Sequence, residues 1–554
     1  MKKLLALFLA LVMALGIVAC GGSSNDGTTA ATQEGETTAA GGETSAQTED
    51  GPKYGGHLNT RSATKPTGLD PLKQTGVWKY HWTTTVYETP LTRDAEDNIA
   101  PGVCEFELSD DYLDLQMWVR EGATFSNGDT VDIKDVYDSI NRSLTLYSNL
   151  KKYVQPYIAS MEIEGDRLHI VFNKYNERVW YYMASYQTWI SVLPSEICEK
   201  YAADYIVDQV EDAIGTGPYK FVDFVDSVSV TVVRNENYVP CKEGGTGFAA
   251  PKHAYLDSIT FCANNDDPNA AMAVLSGEYD MTEVMPVDYM DLATEYGIVE
   301  ERLPSITGTC FYFNTLGSNL CAKYPSLRKA VMAAFDLKTF LDVITDNQAQ
   351  WPIDGTPAYN SIYDTDVFKN AEYLKGYDAA LVQKYLDAAH AEGYKDEPIQ
   401  YVFSNTRSDI PTMVCAQLDN AGIRYQYTTM EAATYTSFIA EYGNNWDFKF
   451  EWCNYAYTPG KLPTDYMVNN YHASEERDAL MLKLEAEQAG SEAYINCWYD
   501  LANFMVDDCT WVYTGKIDWC WYHQATLHAN DEGDVRYFFN TYWDDPENHP
   551  SQWV

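Results

Sequence analysis

Apolar and polar residues trade places one by one at several points along the chain. At others the apolar residues recur every three to four positions. Leu113, Leu115, Met117 and Val119 alternate with Asp114, Gln116, Trp118 and Arg120, the period of two that marks a half-buried strand. Leu168, Ile170 and Phe172 repeat that period, and Val228, Val230 and Val232 share a face of a hairpin-like stretch after Gly215-Thr216-Gly217-Pro218-Tyr219. Shorter strand signals lie at Gly55 to Leu58, Phe311 to Phe313, Ile399 to Phe403 and Phe448 to Cys453. Helical spacing joins Ile133, Val136, Ile140 and Leu144 behind Asp132, whose short carboxylate suits a cap. A second helix runs from Asn269 to Ser276 and stops at Gly277. A third is capped by Ser326 and buries Leu327, Val331, Ala334, Phe335 and Leu341. A fourth turns Leu381, Tyr385, Leu386 and Ala389 inward between Asp378 and Gly393. Gly68 to Pro71 and Phe125 to Asp129 read as turns. Strands alternate with helices, so the fold class is mixed α/β.

The first fifty residues follow neither period. Lys2 and Lys3 precede an apolar run from Leu4 to Val18, and Ile17-Val18-Ala19-Cys20 sets a cysteine after small residues. This resembles a bacterial lipoprotein signal, with residues 1–19 as the signal peptide and Cys20 as the lipidated position. Such signals usually have leucine where Ile17 stands. Several acyl chains on one cysteine hold a protein stably at a membrane face. Residues 20–52 contain no aromatic and no large aliphatic residue, so they cannot bury enough apolar surface to order themselves. They read as an acidic tether whose role is reach.

Composition narrows the function. Lysine and arginine number 38 against 81 aspartates and glutamates, a formal charge of −43 that repels nucleic acid and anionic membrane surfaces. At 554 residues and 45% hydrophobic content the chain can bury cores in several domains. Aromatics make up 14%, with 43 tyrosines and 14 tryptophans, enough to furnish a binding surface of amphipathic rings. Of 12 cysteines, the 11 other than Cys20 are scattered and odd in number, which suits buried thiols better than a disulfide scaffold. The histidines at 57, 81, 169, 253, 390, 472, 523, 528 and 549 are dispersed without the spacing of a local metal site. No hydrolase, zincin, P-loop or dinucleotide-binding signature is present, so neither catalysis nor a cofactor is expected.

An ordered set of short segments points to a family. It reads YGGHL, GLDPL, VYETPL, APGV, WVREGATFSNGDTVDIKDVYDSINR, GTGPYKF, RNENYV, LDSITF, VLSGEYDM, FYFNT, SLRKAVMAAFDLKTFL and FEWCNYAYTP, between Tyr54 and Pro459. The series resembles the peptide-type solute-binding lipoproteins of bacterial ATP-binding-cassette (ABC) importers, the group of the oligopeptide, dipeptide and nickel binders. The resemblance implies two lobes joined by two strands, an extra domain inserted in the first lobe, and a ligand enclosed between the lobes. Here the first lobe would comprise Tyr54 to Thr92, Gly215 to Ser305 and Trp521 to Val554. The inserted domain would run from Arg93 to Ile214 and the second lobe from Ile306 to Cys520. It implies a monomer outside the cytoplasm, anchored at the extracellular face or held in the periplasm, that hands its ligand to permease subunits.

The same resemblance assigns candidate ligand residues. Peptide binders of this kind hold the ligand main chain as an added strand. One edge would be Gln74-Thr75-Gly76-Val77-Trp78, the other Trp452-Cys453-Asn454-Tyr455. Oligopeptide and dipeptide binders carry an aspartate three residues after this tryptophan to neutralise the peptide's α-ammonium group, but Tyr455 stands there. A phenol supplies no negative charge, so another carboxylate must serve or the ligand lacks a free amine there. Glu451, Asp409 and Asp447 are candidate substitutes. Lys449 and Arg407 would meet a ligand carboxylate, and Tyr312 and Asn314 end a strand that reaches the cleft. Short peptides lead as ligand. Short oligosaccharides are the alternative, because aromatic faces stack on sugar rings, and a nickel chelate is the third reading.

Overall fold

The computed structural model describes residues 51–72, 79–203, 207–242, 244–264, 266–303, 307–345, 349–350, 371–404, 409–440, 445–454, 474–517, 519–530 and 537–553. Strands are numbered in chain order. A seven-stranded sheet is ordered β12-β19-β11-β1-β10-β9-β8. Its strands are β1 His57–Ser62, β8 Tyr219–Val225, β9 Ser229–Arg234, β10 Ser258–Ala263, β11 Met281–Thr282, β12 Val299–Leu303 and β19 Trp519–His523. A six-stranded sheet is ordered β14-β18-β13-β17-β15-β16. It comprises β13 Thr307–Phe313, β14 Ala349–Gln350, β15 Ile399–Ser404, β16 Tyr425–Met430, β17 Phe448–Asn454 and β18 Trp511–Ile517. Between β1 and β8 lies an antiparallel sheet ordered β4-β5-β7-β6, made of β4 Cys104–Leu108, β5 Asp114–Val119, β6 Ile158–Glu164 and β7 Arg167–Phe172. Two small ladders pair β2 Leu91–Arg93 with β3 Ile99–Pro101 and β20 Leu527–His528 with β21 Tyr542–Trp543.

The chain passes from the seven-stranded to the six-stranded sheet between β12 and β13, and returns between β18 and β19. The return strand opens at Trp519, two residues before the boundary expected from sequence. Each large sheet has its own core. Phe311, Phe448 and Phe450 pack with Leu327, Phe335 and Phe340 on one, and Leu58, Val230, Phe261 and Trp521 on the other. The four-stranded sheet buries Leu115, Met117, Leu168 and Ile170 against Val136, Ile140 and Leu144 of the helix Ile133–Leu146. The fold is therefore a two-lobed, mixed α/β binding-protein architecture with a third sheet added.

Local chemistry sets the elements much as the pattern predicts. Asp132 caps its helix by accepting from the backbone of Lys134 and Asp135, and Asp135 reaches back to the Asp132 amide at 3.0 Å. Gly277 and Gly393 close their helices in the left-handed region, at φ 77° and 111°. Val230 and Val232 are buried in β9, but Val228 lies in the turn before it and is exposed.

The helix expected after Ser326 is two helices, Pro325–Ala333 and Leu337–Ile344. Asp336 accepts from the Thr339 amide at 3.2 Å and starts the second one, breaking the first. Ser326 is not a cap: its hydroxyl donates at 2.6 Å to Glu392, the last residue of the helix Ala379–Glu392.

Buried ion pairs tie the parts together. Asp70 of the LDP turn meets Arg142 of the helix Ile133–Leu146 at 2.5 Å, with both side chains at 3% exposure or less. Glu88 faces Lys252 at 3.1 Å and Arg120 at 3.6 Å, and Tyr238 donates to it at 3.2 Å. Near the helix Glu177–Met183, Arg178 pairs at 2.8 Å with Glu485 of the helix Glu475–Glu485, which belongs to the chain between β17 and β18. Asn176 donates to the same carboxylate at 3.3 Å, and Gln488 donates to the Tyr112 hydroxyl at 2.9 Å.

Candidate functional site

The candidate site on the six-stranded sheet is built on β17. Residues 448 and 450 point into the Phe311 core, so Lys449 and Glu451 share the opposite face. Register puts Tyr312 beside Lys449 and Thr309 beside Trp452. The Lys449 ammonium is fully buried, lies 2.5 Å from a Glu451 oxygen and sits 4.7 Å from the centre of the Tyr312 ring. The other Glu451 oxygen accepts from the Tyr435 hydroxyl at 2.7 Å. Lys449, expected from the resemblance to meet a ligand carboxylate, is thus neutralised within the protein, as a buried cation must be. Glu451 is engaged for the same reason.

Trp452 continues the face of Phe450 but lies where the core ends, and 44% of it is exposed. On one side β17 is fully paired to β13, from Phe448 to Asn454. On the other, β15 pairs with it only at Tyr401 and Phe448. Among the described residues no strand is hydrogen-bonded to that side of β17 beyond Phe448. Among the described residues the result is an open strand edge flanked by an exposed indole.

Two further candidates have structural work. Asn314 is buried, accepts from the Leu316 amide at 3.0 Å and donates its own amide to the Asp447 carbonyl, which turns the chain out of β13. Asp447 spends its two carboxylate oxygens on the amides of Cys321 at 3.0 Å and Gln400 at 2.7 Å. Burial pushes its carboxyl up and those amides pull it down. It is a staple between the helix Leu320–Lys323 and β15 rather than a free counter-charge.

On the seven-stranded side, Asp70 accepts from the Leu72 amide at 2.9 Å while holding Arg142, which fixes the chain as it leaves the LDP turn. Gly76, Val77 and Trp78, together with Gln74 and Thr75, lie outside the described residues, as do Arg407, Tyr455 and Cys20. Cys453 and Asn454 belong to β17, with side chains outside the description. Among the described residues no group of histidine, cysteine, aspartate and glutamate is arranged to hold a metal.

Sequence reasoning missed Tyr435 and the pair Arg61 and Glu283. Glu283 was the more visible of these. It is a lone acid in the run Met281-Thr282-Glu283-Val284-Met285, and its side chain is 98% buried. Its carboxyl is pushed up to about 7 by burial, against the opposing pull of Arg61.

Two lobes, each built on its own large sheet and linked by two passages of the chain, have the architecture of a solute-binding protein. Residues 98–478 match the family described as bacterial extracellular solute-binding proteins, family 5 Middle, and the chain belongs to that family. It is 24% identical over 469 residues to the oligopeptide-binding protein AppA of Bacillus subtilis, covering 80% of this chain and 79% of that one. A probable peptide ABC transporter periplasmic-binding protein, y4tO, of Sinorhizobium fredii is 27% identical over 238 residues, 40% of this chain and 42% of that protein. The periplasmic binding protein DppA of Helicobacter pylori, solved with the peptide STSA, superposes with a TM-score of 0.71 at 17% identity. That superposition covers 89% of this chain and 99% of DppA.

Proposed function

We propose that the protein captures short peptides between its two lobes and delivers them, chemically unchanged, to the permease subunits of an ABC importer. The observation that carries this reading is the open edge of β17 beside Trp452. An extended peptide laid along such an edge gains main-chain hydrogen bonds, while its side chains project alternately to either face. The names of AppA and of the Sinorhizobium protein support the same substrate class.

The boundaries proposed are lobe I at 54–92, 215–305 and 519–554, the inserted domain at 93–214 and lobe II at 306–518. They rest on which segments supply each sheet. Lipidation at Cys20, a monomeric state and the lack of turnover belong to the same proposal. Among the described residues no helix is long and apolar enough to cross a membrane; the proposed anchor is the lipid on Cys20.

A thermal-shift panel of short peptides, oligosaccharides and nickel tests the reading. A ligand at 100 times its dissociation constant adds about 2.7 kcal/mol of stability. Stabilisation by peptides alone is the expected result. Stabilisation by sugars alone refutes the peptide assignment, and turnover of any panel member refutes the pure binding role.

A further inference from the structure

The end of the seven-stranded sheet nearest the interlobe crossings holds a charge cluster that β17 does not use. Parallel register sets Thr60 of β1 beside Met281 of β11, so Arg61 and Glu283 emerge at the same end of the sheet. β11 pairs Thr282 with Tyr522, and β12 pairs Leu303 with Trp519 at the last step before the crossing. Glu283 is thus about two residues, or roughly 7 Å of strand, short of that crossing. On the other side of the same crossing, Thr307 opens β13 opposite Asn454 at the end of β17.

The cluster is unbalanced in charge and in hydrogen bonds. Arg61 donates to Asp267 at 2.5 Å and to the Asn264 carbonyl at 2.7 Å, leaving its Nη1 3.5 Å from Glu283. That contact makes no hydrogen bond. Among the described residues neither oxygen of Glu283 accepts one, and Arg61 Nη1 donates none. With both acids ionised, one arginine against Asp267 and Glu283 leaves a net charge of −1. A carboxylate has about four lone-pair sites to fill, and burial makes each empty one expensive. A primary ammonium group brings three N–H donors and the missing positive charge. A sugar hydroxyl brings a donor without the charge, and an anion is repelled.

We infer that Glu283, steadied by Arg61, is the counter-charge for a primary ammonium group of the ligand. The inference rests on the peptide reading above and specifies it: the favoured ligand carries a free amino group. The carboxylate is sealed from bulk water in this conformation, so the ligand reaches it when the lobes part, the motion this fold class uses. In the sealed state the low dielectric strengthens the pairing.

The test is calorimetric titration of the full-length protein in detergent and of its Glu283→Gln and Glu283→Asp variants. The probes are alanine tri-, tetra- and pentapeptides with free or acetylated amino termini, and putrescine as a non-peptide amine. Glutamine keeps the shape and removes the charge, and a melting temperature at or above that of the parent shows the variant folded. The parent should prefer free amino termini by about 30-fold or more, the size expected for a buried charge pair. E283Q should lose that preference and E283D should keep part of it. Equal binding of free and acetylated peptides by the parent, or a preference that survives in E283Q, overturns the inference and leaves the peptide reading standing. Binding of putrescine but of no peptide, abolished in E283Q, upholds the ammonium site and overturns the peptide reading. Silence from every amine probe overturns the inference.

Discussion

Replacing Asp70 by alanine removes the carboxylate that sits 2.5 Å from Arg142 and accepts from the Leu72 amide. Both side chains are buried, at 0% and 3% exposure, so the stranded guanidinium is shielded from bulk solvent. Breaking a buried pair by deleting one member destabilises by about 3–5 kcal/mol, most of it the cost of the stranded charge. The lost amide bond adds about 1 kcal/mol, and we take the low end of the sum, about 4 kcal/mol, for the whole. The shift in melting temperature depends on how much of the chain unfolds together. At about 2.1 cal/mol/K per residue, a unit of about 500 residues loses roughly 4 °C and a unit of about 120 residues roughly 15 °C. Differential scanning calorimetry reads both the shift and the number of transitions, which matters because a multidomain chain need not melt in one step. Asp70→Leu combined with Arg142→Met leaves no stranded charge and should recover most of the loss. A change below about 1 kcal/mol in D70A, or a double variant no better than D70A, would show that the pair does not join the LDP turn to the helix in the way its geometry implies.

Trp452→Ala should weaken binding of whichever ligand the panel identifies, and unchanged affinity by calorimetry would remove the indole from the site. Arg178→Met and Glu485→Gln, combined in a double-mutant cycle, should show a coupling of about 1–3 kcal/mol in chemical denaturation; additive effects would mean that the 2.8 Å contact contributes no coupling. Glu177 is buried and its carboxyl is pushed up to about 7 from 4.5, with burial opposed by Arg93. The native state therefore holds a proton that the unfolded chain has released, and the stabilisation present below pH 4.5 is lost as pH rises through 7. At about 1.4 kcal/mol per pH unit the loss reaches roughly 3 kcal/mol, and melting curves from pH 5 to pH 8 should fall less steeply in Glu177→Gln. Ten cysteines are free among the described residues, with Cys241, Cys262 and Cys497 partly exposed and the others buried. A thiol reagent should therefore label few sites in the native protein and many more after denaturation, and full labelling without denaturant would contradict the burial.

What the sequence made legible follows from the range of the forces involved. Period-two and helical patterns, caps and closing glycines are decided within a few residues. β5, β7 and the helices closed by Gly277 and Gly393 could therefore be read directly. The break at Asp336 is also local, since an aspartate that bonds the amide three residues on competes with helix continuation. It was hidden because Val331, Phe335 and Leu341 keep an apolar spacing that runs on across the break.

The site was legible only in part, because its electrostatics depend on partners far apart in the chain. Lys449 looks like a free cation until β17 folds Glu451 alongside it and a helix more than ten residues upstream brings Tyr435 to the other oxygen. Asp447 looks like a spare acid until the helix Leu320–Lys323 and β15 deliver the amides of Cys321 and Gln400 to it. Glu283 is the reverse case: only the register of β1 against β11 shows that Arg61 answers it with charge and not with a hydrogen bond. A residue's type states what it can exchange, and the topology states what is already exchanged. In this chain Glu283, a lone acid among methionines and valine, is the one whose hydrogen-bonding capacity is left unfilled among the described residues.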